Sequence, residues 1–109
     1  MIMQSKYMQI SLEQAKALAE KSAAVNLARF ISKSTPGLLE NVVLEEEMCW
    51  MFFRKRSITI PAENSLSGDW AYVVSKRGEV RDVPDYFDNL EKAKEYLQKI
   101  SHHFAINNG

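Results

Sequence analysis

Two short runs, Cys49-Trp50-Met51-Phe52-Phe53 and Trp70-Ala71-Tyr72-Val73-Val74, are apolar at almost every position. Each is too short for an independent helix, is rich in aromatic and β-branched residues, and is bounded by charge or turn signals. Both therefore predict strands. Side chains in a strand alternate between faces. Trp50 and Phe52 share one face, and Cys49, Met51 and Phe53 the other; Trp70, Tyr72 and Val74 share one face, and Ala71 and Val73 the other. A sheet with one solvated face shows a cleaner apolar–polar alternation. These two strands are expected to be central, with both faces covered. One cover is a helix of this chain; the other is a second helix or a partner protein.

The pattern around these strands supplies the remaining elements. Residues 1–10 read either as a disordered leader or as a short edge segment. Ser11-Leu12-Glu13-Gln14 is a helix start, in which Ser11 caps, Gln14 completes a capping box and Glu13 suits the positive end of the helix dipole. Ala15, Leu18, Ala19, Ser22 and Val25 then recur at helical spacing, and Ala23, Leu27, Phe30 and Ile31 continue the stripe on a rotated face. That drift predicts a long helix wrapping the sheet, or two helices with a bend near Ala24–Asn26, ended by Thr35-Pro36-Gly37.

Leu38 to Leu44 reads as the first strand. The second begins at Cys49 and, through alternating Ile58 and Ile60, is open to extension as far as Pro61. A polar loop over residues 62–68 precedes the strand Trp70–Ser75. Lys76-Arg77-Gly78-Glu79 is a tight turn in which Gly78 takes positive φ, and Glu79 to Val83 returns as the fourth strand, closed by Pro84. Asp88 is the expected cap of a last helix, with Leu90, Ala93, Tyr96, Leu97, Ile100 and Phe104 as its apolar stripe. The expected fold class is α+β: a long N-terminal helix packed on a four-stranded antiparallel β-meander, with a C-terminal helix. Residues 1–109 form one domain, since the chain has no interdomain linker and no internal repeat.

Composition narrows the function classes. Formal net charge is zero, with 14 basic and 14 acidic side chains. A general nucleic-acid binder needs a basic surface to displace counterions, so no nucleic-acid partner is expected. The first residues lack the basic-then-apolar pattern of a signal peptide, and no stretch is long and apolar enough to span a bilayer. The single cysteine excludes an intramolecular disulfide and suits a reducing cytoplasm.

The reactive residue types are few. Cys49 with His102 and His103 invites a thiol-hydrolase reading. Yet Cys49 opens an apolar strand with no glycine to shape a nucleophile turn, so a buried structural cysteine is the favoured reading. Adjacent histidines on a helix diverge by about 100°, which argues against a shared metal; no metal or cofactor is expected. The acidic features are Glu45-Glu46-Glu47 and the run Asp82, Asp85, Asp88. They read as solvated or gatekeeper charges, as a docking patch for a basic partner, or least of all as a catalytic carboxylate pair. Arg54-Lys55-Arg56 reads as edge protection, and Lys76 and Arg77 as turn residues. Trp50 and Trp70 suit a core, although tryptophan is also a favoured interface anchor.

A helix is thus followed by Trp50-Met51-Phe52, a polar loop ending at Gly68, and the strand–turn–strand Tyr72-Val73-Val74-Ser75-Lys76-Arg77-Gly78-Glu79-Val80. This order resembles the immunity protein 35 family of bacterial polymorphic toxin systems, which includes small chaperone-like relatives. The resemblance covers about residues 38–83, with the preceding helix in the right place; the long N-terminal helix and the capped C-terminal helix are departures or extensions. It implies a cytoplasmic antidote, not an enzyme, that binds a cognate toxin protein and blocks its active site. No binding motif carries over with it. Charge and aromatic chemistry nominate Glu45, Glu46 and Glu47 as part of the partner surface, then Asp82 and Asp85, with Trp70 as an anchor. A general chaperone-like or structural binding module is the alternative, a homodimer through an uncovered sheet face is a further expectation, and a small hydrolase ranks third.

Overall fold

The computed structural model describes residues 9–31, 37–64 and 69–108. The N-terminal helix α1 spans Leu12–Asn26. Its capping box forms as the sequence requires: the Gln14 amide donates to Ser11 Oγ (3.0 Å) and the Ser11 amide donates to Gln14 Oε1 (2.8 Å). The helix is not the long one expected. It is 15 residues long, and a 3₁₀ turn over Ala28–Phe30 follows before the chain becomes extended at Ile31. The reason lies in its apolar row. Ala15, Ala19, Ala23 and Leu27 are fully buried at four-residue spacing, and each such step rotates the row by about 40°. Further α-helix would carry the row off the sheet. The break falls just past Ala24–Asn26, and the tighter turn lets Phe30 and Ile31 pack back against the same core. The expected stop at Thr35-Pro36 lies outside the described residues, as do residues 1–8 and Gly68.

Four strands follow: β1 (Leu39–Glu45), β2 (Cys49–Arg54), β3 (Trp70–Ser75) and β4 (Val80–Pro84). They form one antiparallel sheet in the order β1-β2-β3-β4, the meander that short connections favour. β2 does not extend to Pro61. The Ile58 amide instead donates to Lys55 O (3.0 Å), closing a turn that buries the Ile58 side chain. Pro84 belongs to β4 rather than ending it. The Ser75 amide donates to Glu79 O (2.8 Å), and carried along the ladder this phase turns the backbone of Val80, Asp82 and Pro84 away from β3, so proline's missing N–H costs the ladder nothing. Gly78 turns the β3–β4 hairpin with φ 97°, as expected.

The second helix, α2, spans Leu90–Asn108. Asn89, not Asp88, caps it: Asn89 Oδ1 accepts from the Lys92 amide (3.2 Å), and Asn89 O accepts from the Ala93 amide (3.0 Å). Ala93, Leu97 and Phe104 are buried.

Each sheet face has its own helix. Trp50, Phe52, Tyr72 and Val74 pack with the α1 alanines and Leu27. Cys49, Met51, Phe53, Ala71, Val73 and Val83 pack with Ala93, Leu97 and Phe104 of α2. All six residues of β2 are buried, which is why its sequence shows no alternation. The second cover is therefore a helix of this chain, and no partner is needed to explain the doubly apolar strands. Among the described residues, no helix is long and apolar enough to cross a membrane.

Candidate functional site

The β1–β2 and β3–β4 turns lie at the same end of the sheet, and hydrogen bonds hold them to each other and to the helices' flanks. The Lys76 amide donates to Met48 O (2.8 Å), the Met48 amide to Ser101 Oγ of α2 (3.0 Å), and the Ile10 amide to Lys76 O (2.9 Å). Ser75 Oγ accepts from the amides of Arg77 and Glu79, which fixes the second turn. Glu45, Glu46 and Glu47 therefore stand on a supported frame. Glu47 is exposed, Glu46 half-buried, and Glu45 exposed while accepting a bond from Lys76 Nζ (2.6 Å). Lys76 is not simply a turn residue. It is buried, with its ammonium 4.5 Å from the centre of the Trp50 ring. The one ammonium thus sits between the Trp50 ring and the Glu45 carboxylate at the rim.

The other nominated residues are elsewhere. Asp82 is exposed on the edge strand β4, where its Oδ2 accepts from Asn26 Nδ2 of α1 (2.9 Å). The same amide lies 3.4 Å from the Tyr72 hydroxyl. Burial raises the Tyr72 pKa above its ordinary value, partly offset by the Asn26 bond. Trp70 is half-buried and packs against the α1-side core, so it is not a free anchor. Asp85 sits at the opposite end of the sheet from the glutamates, with its side chain only 1% exposed, and is no docking residue. It pairs with Arg56 Nη2 and lies 3.9 Å from Arg54 Nη2, while its Oδ1 accepts from the Phe87 amide.

The Arg54–Arg56 cluster is likewise not edge protection. β2 is interior, and Arg54 folds inward, donating to Ile58 O (2.5 Å) and to Asp69 Oδ1 (3.1 Å). Arg56 lies over the Phe87 ring at 4.7 Å and donates to Arg54 O. These side chains pin the β2–β3 connection to the start of α2. Burying Arg54 and Asp85 is offset by these pairings, although Arg54 Nε itself is buried without a hydrogen-bond partner among the described residues. The pairings join residues up to 31 positions apart, counting only those between Arg54 and Asp85, so no local pattern announces them.

The hydrolase reading meets a positive obstacle. Cys49 is fully buried, and burial, reinforced by the Glu46 charge, pushes its thiol up to about 12. A neighbouring Ser101 hydroxyl and Lys76 pull it back only in part. A thiol held neutral is a poor nucleophile. His102 and His103 are exposed on α2, with His103 Nε2 3.0 Å from Asn107 Nδ2. A cleft of about 220 Å³ lined by Met48, Ser75, Arg77, Glu79 and Phe104 lies beside the glutamate turn. It does not include Cys49 or either histidine.

Comparison with protein-family models, curated proteins and solved structures finds no match for this chain.

Proposed function

We propose that this chain is a protein-binding antidote, an immunity protein that neutralises a cognate bacterial toxin domain in the cytoplasm by covering it. One observation carries the reading: the Glu45–Glu47 turn is presented on a frame in which Met48 is held by the Lys76 amide and the Ser101 hydroxyl, and Lys76 in turn by the Ile10 amide. A carboxylate surface that is already ordered loses little freedom on docking, which is what specific charge recognition of one partner requires. The resemblance over about residues 38–83 points the same way. A chaperone-like module, by contrast, would present a contiguous apolar patch. Among the described residues the exposed large apolar side chains are Leu12 and Val25, more than three turns apart on α1, and Ile106 on α2.

The test is neutralisation. The tagged protein is captured from its own host, the stoichiometric partner is identified by mass spectrometry, and that partner is expressed with and without this chain. A partner that is toxic alone and harmless with this chain supports the reading. Glu46→Lys with Glu47→Lys is expected to restore toxicity while the chain stays folded. Many weak clients, or self-association alone, would overturn it.

A further inference from the structure

We infer that the outer edge of β1 is the docking rail, and that it receives an extended, lysine- or arginine-bearing segment of a partner protein as a fifth strand. This rests on the protein-binding reading above and gives it a geometry. β1 and β4 are the two edges of the sheet. They are defended very differently. β4 has five residues, carries Arg81 and Asp82, and places Pro84 at an outward position with no donor. Those are the usual ways of blunting an edge. β1 has seven residues, no proline, and the uncharged stretch Asn41-Val42-Val43-Leu44 at its centre.

The phase of the β1–β2 ladder shows which groups are offered. Glu46 and Cys49 exchange both backbone bonds, at 2.8 and 3.4 Å. In an antiparallel ladder every second pair does so. Leu44, opposite Met51, therefore faces β2, while Val43 and Glu45, opposite Phe52 and Trp50, turn their N–H and C=O groups to the open side. No strand pairs with that side among the described residues. The register irregularity lies between Leu39 and Val43, so the regular part of the edge is the part next to the glutamate turn.

Charge selects the occupant. β1 and its turn hold Glu40, Glu45, Glu46 and Glu47 with no basic residue among them. Lys76 answers Glu45, and the Arg56 amide answers Glu40. Among the described residues no ion pair engages Glu46 or Glu47. A second copy paired antiparallel about Val43 would set Glu40 of each copy opposite Glu46 of the other, with no basic residue in either strand to offset them. A basic strand would gain both the backbone bonds and the charge complement, with Val42, Val43 and Leu44 meeting its alternate side chains.

The probe is a capped heptapeptide alternating lysine and valine, with an alternating glutamate–valine peptide as its counterpart, and the readout is amide hydrogen exchange on the full chain. The lysine peptide is expected to slow exchange at Val43 and Glu45 at least tenfold and to leave Val80 and Asp82 of β4 unchanged. Val43→Pro removes an outward donor without touching the β2 ladder. It is expected to keep the fold and weaken peptide binding at least tenfold. Equal protection by the glutamate peptide, protection at β4 or α2 instead, or no protection at Val43 and Glu45 would overturn the rail, and the wild-type measurement decides even where Val43→Pro fails to fold. A toxin neutralised equally well by folded Val43→Pro would also overturn the rail and leave the antidote reading intact. Protection by the lysine peptide with no neutralised toxin would support the rail and sink the antidote.

Discussion

Cys49 and Asp85 are both reactive residue types that the fold has withdrawn from solvent, and each makes a measurable prediction. The Cys49 thiol rises from 9.0 to about 12 on folding, chiefly through burial. The native state therefore holds this proton more tightly than the unfolded chain does. The associated stability is present below pH 9 and is lost as pH climbs from 9 toward 12. Tyr72, also raised by burial, adds a loss of the same sign above pH 10. Urea unfolding at pH 7.5, 9, 10 and 11 should show this fall, and Cys49→Ala should make it shallower although that variant starts less stable. At pH 8 a thiol reagent should label Cys49 only as fast as the protein unfolds; rapid labelling of the native state would revive the nucleophile. Asp85→Ala leaves two arginines facing a vacated site, and breaking such a buried pair costs about 3 kcal/mol. Thermal melts of Asp85→Ala beside the exposed-site variant Asp88→Ala check it, since only the first should fall by many degrees. Nothing local distinguishes Asp85 from Asp82 or Asp88. Their different fates depend on Arg54 and Arg56, about thirty positions away.

At the scale of elements, legibility followed the range of the forces. The capping box of α1, the positive φ at Gly78 and the double-sided strands are encoded within a few residues, and each forms as the sequence predicts. The end of α1 was not legible in that way. The apolar spacing continues through Ile31, but the helix stops at Asn26 because the sheet beneath offers no more surface along the rotating row. The cap of α2 falls one residue beyond the expected Asp88, because Asp88 and Asn89 are both competent caps and only the path of the preceding turn chooses between them. The small residues of α1 carry an element-level prediction. Ala15, Ala19 and Ala23 are fully buried, so the helix backbone rides close to Trp50, Phe52 and Tyr72. Ala19→Leu would force them apart and should cost about 1–3 kcal/mol. Ser11→Ala, which removes the cap alone, should cost about 1 kcal/mol. Chemical denaturation of both variants would order them, and an Ala19→Leu protein as stable as the parent would mean that the α1–sheet gap is loose.

For the whole molecule the decisive feature is that β2 and β3 carry both cores. Trp50 and Phe52 belong to the α1 side, Met51 and Phe53 to the α2 side, and the two sets alternate along one backbone. A strand cannot leave one core without leaving the other, so the two helical layers should unfold together. The pattern of apolar residues made both layers predictable, but it could not say that α2, rather than another protein, supplies the second. That depends on the chain's path after Pro84, which the buried Asp85 and its arginines direct. The same coupling bears on function: a sheet clamped from both sides keeps the β1 edge and the glutamate turn in one shape for a partner. Leu97→Ala tests it. Leu97 is 1% exposed on the α2 side, and its truncation should cost about 2–5 kcal/mol. Trp50 lies on the opposite face, where its fluorescence reports the α1 core. If the layers are one unit, the urea midpoint read by tryptophan fluorescence should fall as far as the midpoint read by helical circular dichroism, with the two curves superimposed. A fluorescence midpoint that stays at the parental value while the helical signal moves would show two separable layers, and would remove the rigid frame on which the antidote reading depends.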